Sequence, residues 1–192
     1  FIEKAGLPAA WTILGMSAIP TDHPLGVGML GMHGNYGPNV LTNECDVLIA
    51  VGMRFDDRVT GKVDQFSLKS YKIHVDIDPT CIDKNIVVDL PIVGDVKHVL
   101  AELAAEMPEP PDTKDWWNQI EKWKEECPLY YKNGDNKLRS EFVISKISEK
   151  TKGEAVVVTD VGQHQMWVTQ YYQFTNPRSH LTSGGLGTMG FS

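Results

Sequence analysis

Two arginines and two aspartates follow directly on an apolar run in Asp46-Val-Leu-Ile-Ala-Val-Gly52-Met-Arg54-Phe-Asp56-Asp57-Arg58-Val-Thr-Gly61. Charge released at the end of a buried strand suits a phosphate site, because a guanidinium grips a phosphate through two parallel N–H bonds. The same residues also fit an exposed cluster in which Asp56 and Asp57 pair with Arg54 and Arg58. Upstream, Gly28-Met-Leu-Gly31-Met-His-Gly34 spaces three glycines by three residues. Such a segment either lies flat against a planar ligand or makes a tight turn that packs Met29 and Met32 inward. The literal GxGxxG from Gly26 to Gly31 is not a dinucleotide fingerprint, since Pro20 to Pro24 precede it where a strand is required. Asp76 and Asp78 close a later apolar run, where an acidic residue either binds a ribose or starts a turn at Pro79.

Two more segments stand near the end of the chain. Thr159-Asp-Val-Gly162-Gln163-His164-Gln-Met-Trp167 places Gln163 and His164 at a helix start after a sharp turn. That arrangement is a diphosphate cradle, or a capping turn with a satisfied histidine. Thr182-Ser-Gly-Gly-Leu-Gly-Thr-Met-Gly190 packs four glycines into nine residues after a short strand-like His180-Leu-Thr. A loop this rich in glycine costs much entropy to order, which favours backbone contact with a cofactor over a purely structural part.

The elements that must position these residues alternate. Apolar, β-branched runs at Val47–Val51, 73–77 and 155–159 read as buried parallel strands, with a shorter one at 92–93. Asp95 reads as the cap of a helix with Val96, Val99, Leu100, Leu103 and Met107 on one face. Trp116, Ile120, Trp123 and Cys127 form a second helical stripe, and a third helix begins at Phe142. Pro108-Glu-Pro-Pro111 is the best boundary, giving units at 1–107 and 141–192 with a helix-bearing linker at 108–140. The fold class is α/β, with parallel sheets flanked by helices in both units, and ligands bind beyond the strands' carboxyl ends.

Bulk properties narrow the function. The 192 residues carry a net charge of −7, against nucleic acid or an anionic membrane as partners. No run is apolar enough to span a membrane. Three scattered cysteines, Cys45, Cys81 and Cys127, suggest neither a disulfide framework nor a zinc site, and read as reduced, mostly buried thiols of a cytoplasmic protein. The chain opens on Phe1 and stops at Ser192, beside a glycine-rich loop, so it reads as an internal fragment.

The strings GMLGMHG (28–34), CDVLIAVGMRFDDRVTGK (45–62), HVDIDP (74–79), TDVGQHQMW (159–167) and LTSGGLGTMGF (181–191) resemble the acetolactate synthase family of thiamine-diphosphate enzymes. The resemblance implies the later part of an FAD-binding middle domain, followed by the start of the thiamine-diphosphate domain. It assigns FAD contacts to Thr12 and Ile13, to Leu30, Gly31, Met32 and His33, and to Gly52, Met53, Arg54, Phe55, Asp56, Asp57 and Arg58. Asp76, Ile77, Asp95 and Val96 join them, with Gly184 and Gly185 approaching the flavin. Gln163 and His164 contact thiamine diphosphate, with Gly187, Thr188 and Met189 supporting its aminopyrimidine.

The implied reaction condenses pyruvate with a second 2-ketoacid, such as 2-ketobutyrate, with loss of carbon dioxide. It yields acetolactate or acetohydroxybutyrate for branched-chain amino-acid synthesis. The implied assembly is a homo-oligomer of catalytic subunits with a regulatory small subunit. No catalytic or metal-ligating residue is assigned within these 192 residues. The activating glutamate and the Mg2+ motif belong, by resemblance, to other parts of the parent enzyme, so the isolated chain is expected to be inactive. The rival readings are a pyruvate oxidase-like FAD and thiamine-diphosphate enzyme and a stand-alone nucleotide-binding module.

Overall fold

The computed structural model describes residues 1–132 and 137–192; residues 133–136 of the expected linker lie outside the described residues. The chain opens with a one-turn helix α1 (Ile2–Ala5) and strand β1 (Ala9–Trp11), then a 3-10 turn at Ile13–Gly15. Strand β2 (Gly26–Met29) and helix α2 (Tyr36–Glu44) follow. Next come β3 (Val47–Val51), the short α3 (Asp57–Thr60), β4 (Tyr71–Asp76), β5 (Leu90–Val93) and α4 (Val96–Glu106). The remaining elements are α5 (Lys114–Glu126), α6 (Ser140–Thr151), β6 (Val157–Thr159), α7 (Gln163–Tyr171) and β7 (His180–Thr182).

Every strand pair among the described residues is parallel: β1 with β2, β3 with β4 with β5, and β6 with β7. The α/β class with parallel sheets and flanking helices therefore holds. β3 runs where its apolar pattern put it. The run at 73–77 is displaced, because β4 begins at Tyr71 and stops at Asp76, leaving Ile77 68% exposed beyond the ladder. β6 is shorter than 155–159, and β5 is longer than 92–93.

The expectation of buried strands holds in β4, where His74, Val75 and Asp76 are buried, and is corrected for β3. In β3 only Ala50 is buried, and Val47 is 46% exposed. The thiols are also less buried than expected, with Cys127 exposed and the other two half-buried; all three are free. Helix α4 has its Asp95 cap, which accepts from the amides of Lys97 and His98 at 2.8 and 3.4 Å, yet it buries none of its residues. An apolar stripe states only what a residue prefers; whether a face is covered depends on which elements pack over it.

β1, β2 and α2 were not legible from periodicity. The glycines at 26 and 28 sit inside a strand rather than a turn, because the ladder with β1 brings Trp11 close. A Cβ on Gly26 would meet the Trp11 ring at 3.1 Å. At Gly28, where φ is +109°, it would meet Asn35 Oδ1 at 2.8 Å. Of the two methionines, Met29 enters the core and Met32 stays 62% exposed.

Three apolar clusters hold these layers. Ala50, Phe55, Phe66, Ile86 and Val88 pack beneath the β3–β5 sheet. Ile120 and Trp123 of α5 pack with Val27 and Leu41. Trp11, Met16 and Met29 share a core with Val168, Tyr172 and Phe174, joining residues from both ends of the chain. No helix among the described residues is long and apolar enough to cross a membrane.

Phe55 is 2% exposed and meets the rings of Phe66 and His74 edge-on at 5.9 and 5.0 Å. Phe55→Ala should destabilise the protein by about 3–5 kcal/mol, the usual loss for a deleted core aromatic. The check is the urea midpoint of the full-length protein; an unchanged midpoint would contradict the anchoring role.

Candidate cofactor cavity

At the carboxyl end of β3 the chain turns at Gly52, with φ +59°, and its amide donates to the Val75 carbonyl at 2.8 Å. Phe55 then dives into the core, and Asn85 Nδ2 donates to the carbonyls of Arg54 and Phe55 at 3.0 and 3.1 Å. With its aromatic buried and its carbonyls held, the loop throws Arg54, Asp56, Asp57 and Arg58 outward. Arg54 lies 3.6 Å from Asp56, and Arg58 lies 2.9 Å from Asp57. Both pairs are solvent-exposed, so each contributes little to stability and the guanidinium groups stay available to an anion. Asp56 also caps α3. The Arg58 amide, donating at 3.1 Å, is the chief reason its carboxyl lies below the usual range.

The glycine-rich segment at 28–34 lies against this loop. Met32 N donates to Arg58 O at 2.7 Å. Asn39 brackets Gly31, accepting from its amide at 2.7 Å and donating to its carbonyl at 2.9 Å. A Cβ on Gly31 would stand 2.8 Å from Arg58 O, so only glycine permits this approach.

The second glycine-rich loop closes the opposite wall. Its turn is tied by Ser183, whose carbonyl accepts from Gly187 N at 3.1 Å and whose Oγ accepts from Thr188 N at 2.9 Å. Farther on, the Asp160 carboxylate accepts from the amides of Gly190, Phe191 and Ser192 at 2.8, 2.8 and 2.9 Å. These bonds to the charged form, Gly190 first, hold its carboxyl down at about 2. A Cβ on Gly184 would press into Leu14 at 2.7 Å.

Between these walls lies a cavity of ≈ 460 Å³. One side is formed by Thr12, Ile13 and Leu14 with Met29, Leu30, Met32 and His33. Another carries Gly52, Met53, Arg54, Asp56, Asp57, Arg58 and Val59. The last is formed by Val161, Gln165, Ser183, Gly184, Gly185, Leu186 and Gly187. The cavity thus gathers Thr12, Ile13, Leu30, Met32, His33, the charged loop except Phe55, and Gly184, Gly185 and Gly187. Gly31 supports the wall through its backbone. Phe55 lies in the core beneath it.

The other residues named from the sequence stand elsewhere. Asp76 is buried, accepts from Asp78 N at 2.9 Å and lies 3.8 Å from His74 Nε2. Ile77 is exposed, Asp95 caps α4, and Val96 is in the first turn of that helix. Asp78 starts a turn, accepting from Thr80 N at 2.9 Å. Gln163 and His164 are exposed in the first turn of α7, and Thr188 and Met189 are exposed farther along the loop. The sequence reading missed Leu14, Val161, Gln165 and Asp160. An aspartate between a strand end and a glycine turn was the only available sign of Asp160. Another cavity, of ≈ 380 Å³, is lined by Trp11, residues 21–24, Asn35, Lys124 and Gln170 among others, and takes no residue from the charged or second glycine-rich loop.

Parallel strands that present glycine turns and charge at their carboxyl ends define the class: an α/β fold of the kind in which ligands bind beyond the strand ends. Residues 1–103 match the thiamine pyrophosphate enzyme central domain, and residues 160–192 match the C-terminal TPP binding domain. The chain belongs to the thiamine pyrophosphate enzyme family. It is 43% identical over 194 residues to the acetolactate synthase large subunit of Buchnera aphidicola subsp. Acyrthosiphon pisum (strain APS), covering 100% of this chain and 34% of that protein. It is 43% identical over 196 residues to the acetolactate synthase isozyme 3 large subunit of Escherichia coli (strain K12), covering 99% and 34%. Against the acetolactate synthase of Mycobacterium leprae (strain TN) the identity is 45% over 196 residues, covering 99% and 31%. The chain spans about a third of the length of the curated relatives it matches.

Asp160 gives a pH test. Its folded carboxyl at about 2 lies below the ordinary 3.8, so its contribution is present above pH 3.8 and is lost as pH falls towards 2. Asp160→Asn should raise hydrogen exchange at the amides of Gly190, Phe191 and Ser192 at neutral pH. Unaltered protection at all three would disprove the clamp.

Proposed function

We propose that this chain is a segment of the catalytic large subunit of an acetolactate synthase, a transferase of branched-chain amino-acid synthesis. The supporting observation is the cavity whose walls come from the two TPP-enzyme domains, with Arg54 and Arg58 at one side and Gly184 and Gly185 at the other. Those residues fit FAD. The exposed guanidinium groups can donate to a pyrophosphate, and the open backbone at Gly52 and Gly185, where a Cβ would meet nothing within 4 Å, admits a flat ring. Thr12, Leu30 and His33 offer further contacts along the same cavity.

Gln163 and His164, with their own backbone amides at the start of α7, suit the diphosphate of thiamine diphosphate. When bound, that cofactor supplies the electron sink for decarboxylation and carbon–carbon ligation. Gly187, Thr188 and Met189 would carry its aminopyrimidine, and Asp160 would hold their loop in place. The Mg2+ ion would be held by residues of the parent protein outside this chain. The substrates would be pyruvate and a second 2-ketoacid. The working form would be a cytoplasmic homo-oligomer with a regulatory small subunit. The test is to purify the full-length protein and assay acetolactate formation from pyruvate with thiamine diphosphate, Mg2+ and FAD. Absence of both flavin and product would refute the proposal.

Two substitutions divide the cofactors. Arg58→Ala should weaken FAD retention by about 1–3 kcal/mol, the range for a lost charge-assisted contact, read as flavin content after dialysis. His164→Ala should raise the thiamine diphosphate concentration needed for activity while the flavin content stays level. A titration curve that does not move would make His164 a structural residue.

A further inference from the structure

Gln165, not its neighbours Gln163 and His164, is the polar side chain of α7 that reaches the cavity between the charged and glycine-rich loops. It is 7% exposed, and its Nε2 lies 2.7 Å from Thr182 Oγ1. The surrounding bonds fix which end of the amide faces which way. Thr182 pairs with Thr159 across the β6–β7 ladder. Thr182 Oγ1 donates its one proton to the Thr159 carbonyl at 3.2 Å and accepts from Thr159 Oγ1 at 3.0 Å. A hydroxyl whose proton is committed can only accept from a third group. The Gln165 amide must therefore turn its NH2 towards Thr182, which leaves its carbonyl Oε1 as the free end. Among the described residues no donor bonds to that oxygen. The amide is thus held with its NH2 turned to Thr182, and its carbonyl oxygen, without a protein donor among the described residues, is open to an N–H from a ligand in the cavity that Gln165 lines.

We infer that Gln165 Oε1 is a ligand contact which accepts the imide N3–H of the flavin ring. This rests on the reading of the cavity as the FAD site and adds an orientation to it. The oxidised ring system of a flavin carries a single N–H donor, at N3, between two carbonyls. An acceptor held rigidly by Thr182 and Thr159 selects that edge, whereas the glycines at 184 and 185 and the side chain of Leu14 discriminate only flatness. The contact also ties the flavin to β7 and α7, the elements that present the second glycine-rich loop.

The experiment compares binding of FAD and N3-methyl-FAD to the full-length apoprotein, followed by flavin fluorescence, with wild type and Gln165→Leu. Wild type should prefer FAD by about tenfold, the scale of one hydrogen bond. Gln165→Leu should bind the two flavins equally. Gln165→Met serves as the second variant, and the wild-type comparison stands even without either. Equal binding of both flavins by wild type would overturn the contact while leaving the FAD site intact. A preference that survives in both Gln165 variants would move the contact to another residue and overturn the assignment to Gln165. Failure of wild type to bind FAD at all would overturn the reading of the cavity, and this inference with it.

Discussion

The apolar core shared by Trp11, Met16 and Met29 with Val168, Tyr172 and Phe174 is what makes one cavity out of two distant stretches of sequence. Burying each such side chain contributes about 1.5–3 kcal/mol, so the group outweighs the exposed ion pairs nearby. Hydrogen bonds then set the alignment of the halves. Ser17 Oγ accepts from the amides of Ser179 and His180 at 3.1 and 3.3 Å, and Thr21 Oγ1 accepts from Phe174 N at 3.0 Å. Burial at this seam lowers the pKa of His180, whose ring meets Phe174 edge-on at 5.3 Å. With the seam fixed, Leu14 of one half meets Gly184 of the other.

Around the cavity, the backbone is positioned by buried side chains and the charge is left loose. Phe55 and Asn85 fix the course of the loop after β3, while Arg54 and Arg58 pair, among the described residues, with their own neighbours in solvent. That division suits a site for a phosphate-bearing ligand: the amides are preorganised, and the guanidinium groups exchange weak partners for a stronger one. The second loop uses the opposite device, a single carboxylate. Asp160 collects three amides and so orders a glycine-rich stretch whose own entropy resists order.

The sequence by itself determined the element types and the chemistry at their ends. The run at Val47–Val51, the Asp95 cap, the stripe of Trp116, Ile120 and Trp123, and the strand before the second glycine loop are all local patterns. Local patterns follow from φ/ψ preference and side-chain period, which are written residue by residue. Even the split between Met29 and Met32, and the strand hidden in Gly26–Met29, escaped that logic, because a glycine gains its strand from the Trp11 ladder beside it.

Only the tertiary structure decided which residues face one another. Phe55 stands in the middle of a charged motif yet belongs to the core, and Gln165, two places beyond the first polar residue of α7, is the one that meets the cavity. Asp76 and Asp95, plausible ligand groups by type, are occupied with the local backbone. The pairing of Leu14 with Gly184 joins positions 170 residues apart. No periodicity spans such a distance, because what brings the two together is the burial of apolar surface shared across the whole chain, and that is a property of the packed molecule alone.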